Sequence, residues 1–272
     1  MDLKERLEKL RAFLSNFNNA IVAFSGGVDS ATLAAICKEE IENVLAVTIK
    51  AENIPSREIE NAKKVAKEIG LKHVFLEFDI FKNKDFLENS ENRCYYCKKS
   101  MICAMTEIAK EKGYEVIFEG TNGSDLQEHR PGYKAVLDSG IAFSPWACFG
   151  IKKEEIRAIA KDYGFSFYNS PSLSCLATRI PFKMRITLEM LRRIDKAENL
   201  VIKIAKVRNV RVRVIKNLAV VEVERDEIWK VMEFKEVIKD SLLSIGFEKV
   251  FINPDGYKSG IFASDLKKLL PL

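Results

Sequence analysis

The sequence predicts an α/β fold in which a doubly wound parallel sheet is followed by a smaller α+β domain. Short apolar runs alternate with amphipathic helical patterns in the first part of the chain, as expected of repeated βαβ units. After Gly164 this alternation stops, and a loop rich in Ser and Pro leads into a helix and a hairpin pattern. The length of 272 residues suits two domains. We therefore predict a first domain at residues 1–170 and a second at residues 171–272.

The first domain contains five apolar runs that are typical of buried strands. They span residues 20–25, 44–50, 73–78, 115–120 and 141–145. Helical patterns separate or follow them at about residues 30–40, 55–70, 98–113 and 152–163. In parallel sheets of this kind, ligands bind at the carboxyl ends of the strands, where the loops gather. We therefore expect the functional residues of this domain in the loops that follow its strands.

The second domain combines helices with a short sheet. A helix is predicted at residues 188–201, and two alternating β patterns follow at 210–215 and 218–223. The two residues between those patterns, Lys216 and Asn217, are typical of a hairpin turn. A further helix at 227–245 and a strand near 250–252 complete the predicted α+β domain.

The composition narrows the possible functions. Hydrophobic residues make up 47% and charged residues 31% of the chain, as in globular proteins with a core. No window approaches the roughly 18 apolar residues of a membrane helix, and the N-terminus resembles no signal or transit peptide, so we expect a cytoplasmic protein without membrane contact. The net charge of +5, with no block of like charges, fits an anionic small molecule better than nucleic acid. Two histidines are too few for a multi-histidine metal centre.

The segment between the first predicted strand and helix has the features of a phosphate-binding loop. Gly26 and Gly27 let the backbone approach an anion closely, and the following helix directs its free N–H groups and positive dipole end into the loop. Ser25 and Ser30 add hydroxyl donors, and Asp29 lies between them. The lysine of the GxxxxGK[ST] loop is missing, so this is another type of nucleotide loop. The alternative is a turn that only connects strand and helix.

Three cysteines suggest sulfur or metal chemistry. Cys94 and Cys97 are three residues apart just before a predicted helix, and Cys175 lies in the Ser- and Pro-rich loop. Thiols beside Arg, Lys or a helix start ionise readily and become nucleophiles or metal ligands. Three cysteines suffice for three irons of a four-iron cluster, but a CxxC pair also fits a redox disulfide, half a zinc site or chance. The remaining cysteines lie in apolar surroundings, where packing is expected: Cys37, Cys103 and Cys148.

Together these motifs resemble known families. The SGGVDS sequence at 25–30 resembles the SGGxDS loop of the PP-loop ATP pyrophosphatases, which cleave ATP between its α- and β-phosphates. Over nearly the whole chain the sequence resembles the LarE family, which inserts sulfur into the pyridinium dicarboxylate precursor of a nickel-pincer cofactor. The segments that carry this resemblance are 93–98, 119–126, 130–132, 171–181, Ala197-Glu198, the VRVR sequence at 210–213, and 256–260.

The resemblance implies an ATP-dependent sulfurtransferase that adenylates a carboxylate of a small nucleotide-like acceptor, with Mg²⁺ on the departing pyrophosphate. It implies two possible sulfur sources. Either Cys175 gives up its own sulfur and becomes dehydroalanine, or Cys94, Cys97 and Cys175 hold a [4Fe-4S] cluster that carries sulfide from another donor. We favour the cluster, because this sequence has all three cysteines. A homo-oligomer is also expected.

The resemblance also assigns individual residues. Asp29 is carried over as catalytic, together with the three cysteines and Arg179, which follows Cys175. The ligands predicted for ATP or a phosphate are Ser25, Gly26, Gly27, Asp29, Ser30, Gly120, Thr121, Asn122, Arg130, Arg211 and Arg213. The predicted metal ligands are Cys94, Cys97, Cys175, Asp125 and Glu198. The alternatives are an exposed basic strand face for Arg211 and Arg213, and a charge on a helix surface for Glu198.

Three other functions remain open at this point. A transfer-RNA thiolase also uses a PP-loop and cysteines, but it requires an RNA-binding surface that the mild charge does not suggest. An ammonia-using synthetase that resembles NAD synthase would make the cysteines incidental. An adenine-nucleotide sensor would bind ATP without cleaving it.

Overall fold

The strands form two separate sheets in the computed structural model, which describes residues 2–127, 131–171 and 174–257. The strands of these ranges are β1 Asn19–Ala23, β2 Asn43–Lys50, β3 Lys72–Glu77, β4 Val116–Phe118, β5 Ala142–Phe143, β6 Val210–Ile215, β7 Leu218–Val223 and β8 Lys249–Ile252. The first sheet has the order β3-β2-β1-β4-β5 with every pair parallel. The predicted parallel sheet and the smaller second sheet are both confirmed.

Helices connect these strands and flank the parallel sheet. The described α-helices are α1 Leu3–Leu14, α2 Val28–Glu40, α3 Ser56–Ile69, α4 Lys84–Leu87, α5 Arg93–Lys112, α6 Pro131–Leu137, α7 Pro145–Cys148, α8 Lys153–Asp162, α9 Leu188–Ala205, α10 Ile228–Glu233 and α11 Lys235–Ser244. No helix within the described part of the chain is both long enough and apolar enough to traverse a bilayer.

The chain divides into two compact units that are not continuous in sequence. The first consists of Met1–Ala51, Arg57–Asn83 and Asn92–Leu173, and it contains the parallel sheet. The second consists of Glu52–Ser56, Lys84–Glu91 and Ser174–Leu272, and it contains the three-stranded sheet. Two short segments from the first half of the sequence therefore belong to the second unit.

The core of the first unit lies around β1 and α2. Strand β1 is central in the sheet, and Ala20, Ile21 and Val22 are fully buried. Helix α2 is buried along most of its length because its small and aliphatic side chains leave no broad polar face. Cys37 is fully buried on this helix, which confirms its predicted packing role. The loop between β1 and α2 is therefore held by two buried elements.

The second unit has a hairpin joined to a parallel strand. Strands β6 and β7 are antiparallel and have the predicted bounds, and Lys216 takes the turn with a φ of 56°. Strand β8 pairs in parallel with β7, which lies in the middle of the sheet. Helix α9 has its N-cap at Thr187, whose side chain accepts a hydrogen bond from the Met190 N–H. These elements carry the arginines discussed below.

Several predicted boundaries were wrong. Helix α5 begins at Arg93, so the CxxC pair lies inside its first turns and not before the helix. The helix predicted at 227–245 is two helices that meet at Phe234, which has a φ of −102° and a ψ of 20°. The short helices α4, α6 and α7 were not predicted, because segments of four to seven residues show little periodicity.

Candidate functional site

The glycine-rich loop of the first unit is organised by its two serines. The Oγ atoms of Ser25 and Ser30 lie 3.0 Å apart, and the Ser25 N–H donates to Ser30 Oγ at 3.1 Å. Ser30 Oγ also donates to the Gly27 carbonyl at 3.2 Å. Gly27 is the N-cap residue of α2 and makes no side-chain cap bond. The N-terminal N–H groups of α2 are therefore presented to this loop, as a phosphate requires.

Gly26 is required by the packing of the loop against α3. Its φ is +74°, and a Cβ atom here would lie 2.6 Å from Ala62 Cα and 2.9 Å from Ala62 N. The Asn61 side-chain amide donates to the Gly26 carbonyl at 3.0 Å. Helix α3 thus lies directly against the loop backbone, and only glycine fits between them.

The loop after β4 approaches the same place. A Cβ atom on Gly120 would lie 3.0 Å from the Ser30 N atom. The Asn122 side-chain amide is 3.4 Å from Asp29 Oδ1, and the Asn122 side-chain oxygen accepts from the Ser124 N–H at 2.9 Å. The structure therefore brings the predicted residues of the two loops together at the carboxyl ends of β1 and β4.

Asp29 is paired with Lys153, a residue that the sequence analysis did not select. The Lys153 ammonium donates to Asp29 Oδ2, and Trp146 Nε1 donates to the Asp29 carbonyl at 2.9 Å. Burial raises the pKa of Asp29 above its usual value, although the Lys153 charge opposes that change; the nearby carboxylate of Asp125 adds to it. Lys153 is the first residue of α8 and follows β5. Its position after a strand of the parallel sheet is the feature that could have identified it, because ligands bind at the carboxyl ends of such strands.

Asp125, predicted as a Mg²⁺ ligand, lies in the same loop as Asn122. Its Oδ2 accepts from the Asn122 N–H at 3.1 Å. The Asp125 carboxylate lies close enough to Asp29 to raise its pKa, and its role as a Mg²⁺ ligand stays a prediction. Arg130, predicted as a phosphate ligand, lies outside the described residues.

A buried carboxylate network at Glu119 connects the loop after β4 with helix α5. Glu119 accepts from Lys98 Nζ at 2.7 Å, from Thr121 Oγ1 at 2.9 Å and from Ser144 Oγ. Burial alone would raise the pKa of Glu119, but the Lys98 charge and these hydrogen bonds bring the pKa below its usual value. Lys98 directly follows Cys97, so Glu119 fixes the start of α5 beside the Gly120 loop. This role of Glu119 was not predicted, because its partners Lys98 and Ser144 are distant in the sequence.

The cysteines of the first unit differ in exposure. Cys94 is exposed and Cys97 is buried on α5. Cys103 and Cys148 are exposed, so the predicted packing role was wrong for both. Within residues 2–127, 131–171 and 174–257, no group of three or more His, Cys, Asp or Glu side chains is arranged to hold a metal ion. Cys94 and Cys97 lie in the first unit and Cys175 in the second, and the three-cysteine cluster stays a prediction.

In the second unit, the half-buried Cys175 lies on a loop that is held by Arg179. The Arg179 Nη1 atom donates to the carbonyls of Ser174 and Cys175, at 2.8 and 3.2 Å, and to Thr178 Oγ1 at 2.9 Å. Its remaining donors face Glu198 on α9, with 2.7 Å from Nε to Oε1. Arg179 therefore fixes the backbone on which Cys175 lies.

Glu198 is a buried residue of the second unit whose carboxylate accepts hydrogen bonds from several N–H groups. It is 0% exposed, so it is not a surface charge, and both carboxylate oxygens accept from Arg179. Oε1 also accepts from the Val212 N–H of β6 at 3.0 Å. These bonds tie Glu198 to Arg179 and to β6, and its predicted role as a metal ligand stays a prediction.

Arg211 and Arg213 do not form an exposed basic face. Arg213 is 1% exposed, with Nε 2.7 Å from Glu222 Oε2, and the guanidinium of Arg211 lies 3.9 Å from the Tyr257 ring centroid. Burial, followed by the positive charge of Arg179, lowers the pKa of Arg211 to about 10, and Arg213 contributes in the same direction. Three arginines therefore lie near one another, and Glu198 and Glu222 neutralise two of them, Arg179 and Arg213.

Comparisons of the sequence with known proteins show which families it resembles. The family described as "Queuosine biosynthesis protein QueC" matches residues 19–93. An uncharacterised protein of Synechocystis sp. is 32% identical over 261 residues, which cover 95% of this chain and 97% of that one. An uncharacterised protein of Methanocaldococcus jannaschii is 35% identical over 259 residues, 94% of this chain and 98% of that one. The pyridinium-3,5-bisthiocarboxylic acid mononucleotide synthase of Lactiplantibacillus plantarum is 26% identical over 261 residues, 95% of this chain and 94% of that one.

The parallel sheet, the glycine-rich loop and these matches define an ATP-using enzyme of the PP-loop class. The full-length similarity to the mononucleotide synthase then specifies its chemistry as sulfur transfer. The chain belongs to the LarE family of ATP-dependent sulfurtransferases.

Proposed function

We propose that this protein adenylates a carboxylate of a pyridinium mononucleotide and replaces one of its oxygens with sulfur from Cys175. The observation that carries the proposal is the loop of Cys175, which a buried Arg179–Glu198 ion pair holds in place within the second unit. A protein that only binds ATP has no need for a thiol that is positioned in this way. A sulfur donor needs a reactive cysteine at a defined position.

The first unit supplies the nucleotide half of the reaction. The loop between β1 and α2 binds phosphate oxygens with the N-terminal N–H groups of α2 and with the hydroxyls of Ser25 and Ser30. The carboxylates of Asp29 and Asp125 fit Mg²⁺, which would neutralise the pyrophosphate when it leaves. The acceptor carboxylate attacks the α-phosphorus, its oxygen becomes bonded to AMP, and pyrophosphate departs.

The second unit supports an acceptor that carries a phosphate. Arg211 and Arg213 lie on β6, and Arg179 contributes to the same positive environment. A mononucleotide phosphate has the double negative charge that such a group favours. The related synthase of Lactiplantibacillus plantarum is named for a pyridinium mononucleotide that carries two thiocarboxylic groups, and this product class fits the arginines.

The sulfur step follows from the adenylate. The Cys175 thiolate attacks the activated carbonyl carbon, a C–S bond forms, and AMP leaves with the electron pair of its C–O bond. A base then removes the Cα proton of residue 175. That electron pair forms the Cα–Cβ double bond, and the electron pair of the Cβ–S bond stays on the sulfur. The acceptor leaves as a thiocarboxylate, and residue 175 becomes dehydroalanine.

The test uses protein that is purified without oxygen and incubated with ATP, Mg²⁺ and pyridinium-3,5-dicarboxylic acid mononucleotide. We expect pyrophosphate release that depends on the acceptor, and a loss of one sulfur and two hydrogens at residue 175 in the mass spectrum. Cys175→Ser should still release pyrophosphate but form no thiocarboxylate. Cys103→Ser, which changes an exposed cysteine of the first unit, should behave as the unchanged protein.

Three results would contradict the proposal. Thiocarboxylate formation by Cys175→Ser would show that the cysteine is not the sulfur donor. Bound iron, together with an unchanged protein mass after several turnovers, would favour the cluster as the sulfur carrier. Pyrophosphate release without any acceptor would show an ATP-cleaving activity of another kind.

A further inference from the structure

A buried asparagine contacts the sulfur atom of Cys175. Asn53 lies between β2 and α3, in the segment Glu52–Ser56 that belongs to the second unit, and it is 1% exposed. Its side-chain amide nitrogen is 3.3 Å from Cys175 Sγ. Its backbone carbonyl accepts from the Leu176 N–H at 2.8 Å. Asn53 therefore contacts the cysteine loop through both its side chain and its backbone.

Helix α9 fixes the position of this segment. The Ser56 N–H donates to Asp195 Oδ1 at 3.0 Å, and the Asn199 side-chain amide donates to Ser56 Oγ at 3.0 Å. The same helix carries Glu198, which holds Arg179 and thereby the backbone of Cys175. The donor at Asn53 and the sulfur at Cys175 are thus positioned by one rigid element, as a preorganised site requires.

The chemistry of the contact favours the thiolate. An N–H donor stabilises a negative sulfur more than a neutral thiol, and the effect is larger where water is excluded. A primary amide has no proton to give up at ordinary pH, so it supports the charge without protonating the nucleophile. Arg179 has a different role, because it donates to the Cys175 carbonyl and so holds the backbone of the loop.

We propose that Asn53 is a catalytic residue that stabilises negative charge on the sulfur of Cys175 and orients this atom for attack. The proposal rests on the proposed function, in which Cys175 is the sulfur donor. The charge on the sulfur appears twice in that sequence of steps. It is present on the thiolate before the C–S bond forms, and it returns to the same atom when the Cβ–S bond breaks. One donor at a fixed position stabilises both states.

The experiment measures alkylation of Cys175 by iodoacetamide as a function of pH, with peptide mass mapping to separate it from the other cysteines. No ATP or acceptor is needed, so the result does not depend on the proposed function. In Asn53→Ala we expect the midpoint of Cys175 alkylation to rise by about one pH unit, because a hydrogen bond to the charged form is lost. In Asn53→Asp it should rise further, because a like charge replaces the donor.

Two controls keep the test specific. Ser241→Ala removes a side-chain hydrogen bond to the Val237 carbonyl on α11, away from Asn53 and Cys175, and it should leave the Cys175 midpoint unchanged. Alkylation of the exposed Cys103 in the same samples should be identical in every variant. If Asn53→Ala does not fold, the nearly isosteric Asn53→Asp provides the same comparison.

The outcomes separate the inference from the proposed function. If neither Asn53 variant shifts the Cys175 midpoint, the inference is wrong, whatever Cys175 does. The inference holds if the midpoint shifts and sulfur transfer by Asn53→Ala is at least tenfold slower. A tenfold slower rate corresponds to an increase of about 1.4 kcal/mol in the activation free energy. If the midpoint shifts while Cys175→Ser still transfers sulfur, the catalytic role is wrong together with the proposed function.

Discussion

At the scale of single residues, the partly buried ion pair of Asp29 and Lys153 affects how the stability of the protein responds to pH. Asp29 has a raised pKa because it is buried, and Lys153 is the nearby cation that limits this rise. A carboxyl whose folded pKa lies above its unfolded pKa loses stabilising free energy as the pH rises between the two values. The loss is complete above the folded pKa. Because the Lys153 charge limits the rise in the Asp29 pKa, the pH range over which stability is lost stays narrow.

Lys153→Met is therefore expected to destabilise the protein more at neutral pH than in acid. Without the cation, the pKa of Asp29 rises further, so the window of loss extends to higher pH. We expect the free energy of unfolding to fall by about 1–3 kcal/mol at pH 7 and by less near pH 4. Thermal unfolding at both pH values measures it. The double variant Asp29→Asn with Lys153→Met should show no such pH dependence, and an equal cost at both pH values would contradict the argument.

Individual residues were predicted where a local motif exists and missed where the partner is distant. The serines and glycines of the 25–30 loop were predicted because their spacing alone suits a phosphate. Lys153 was missed because it lies 124 residues from Asp29 in the sequence. The pairing of Glu198 with Arg179 was missed because a charged residue on an amphipathic helix gives no sign of its burial.

At the scale of secondary structure elements, the close contact between the β1–α2 loop and helix α3 defines the nucleotide loop. Two adjacent glycines occupy this loop, but the structure requires glycine at only one of the two positions. Gly26 has a positive φ, and a Cβ atom there would clash with the backbone of Ala62. Among the residues that the structure describes, a Cβ atom on Gly27 would contact only the Ser25 hydroxyl, at 3.4 Å. The two positions therefore provide a matched pair for mutagenesis.

Gly26→Ala is expected to unfold or shift the loop, because the new Cβ cannot fit against backbone atoms of α3. The strained φ adds about 1 kcal/mol or more to the cost of the clash. We expect a loss of at least about 2 kcal/mol of unfolding free energy and no measurable ATP binding by calorimetry. Gly27→Ala should change the unfolding free energy by less than about 1 kcal/mol. Equal stability of the two variants would show that α3 does not constrain the loop.

The elements themselves were predicted to different degrees. Strands β6 and β7 were placed correctly because alternating residues flank a two-residue turn. Strands β4 and β5 are shorter than predicted, since an apolar run shows burial but not where the pairing ends. The break at Phe234 could not be predicted, because no Gly or Pro lies between Ile228 and Ser244 to mark it.

At the scale of the whole molecule, the second unit depends on two segments that precede it in the sequence. In the segment Lys84–Glu91, the side-chain amide of the fully buried Asn89 donates to the carbonyls of Pro181 and Met184, each at 2.8 Å. The Ile186 N–H donates to the Leu87 carbonyl at 2.9 Å. These contacts could not be predicted from the sequence, because both segments lie within the alternating pattern of the first domain.

A fragment of residues 174–272 should therefore not fold cooperatively by itself. Its buried carbonyls would lack their donors, each at a cost of about 1–3 kcal/mol, and the apolar side chains of the missing segments would be absent. We expect a broad thermal transition and poor amide dispersion in NMR spectra. Joining residues 84–91 to the fragment through a flexible linker should sharpen the transition. A sharp transition of the isolated fragment would contradict this view.

The same discontinuity has a consequence for biosynthesis on the ribosome. Asn89 is translated 92 residues before its partner Pro181, a delay of roughly 5–20 s at ordinary elongation rates. Phe86 and Leu87 are buried in the folded protein. During this interval they remain in the nascent chain before the residues around position 186 have been synthesised. A chaperone that captures short apolar stretches would find a target there, and it would be displaced once the region around residue 186 emerges from the exit tunnel.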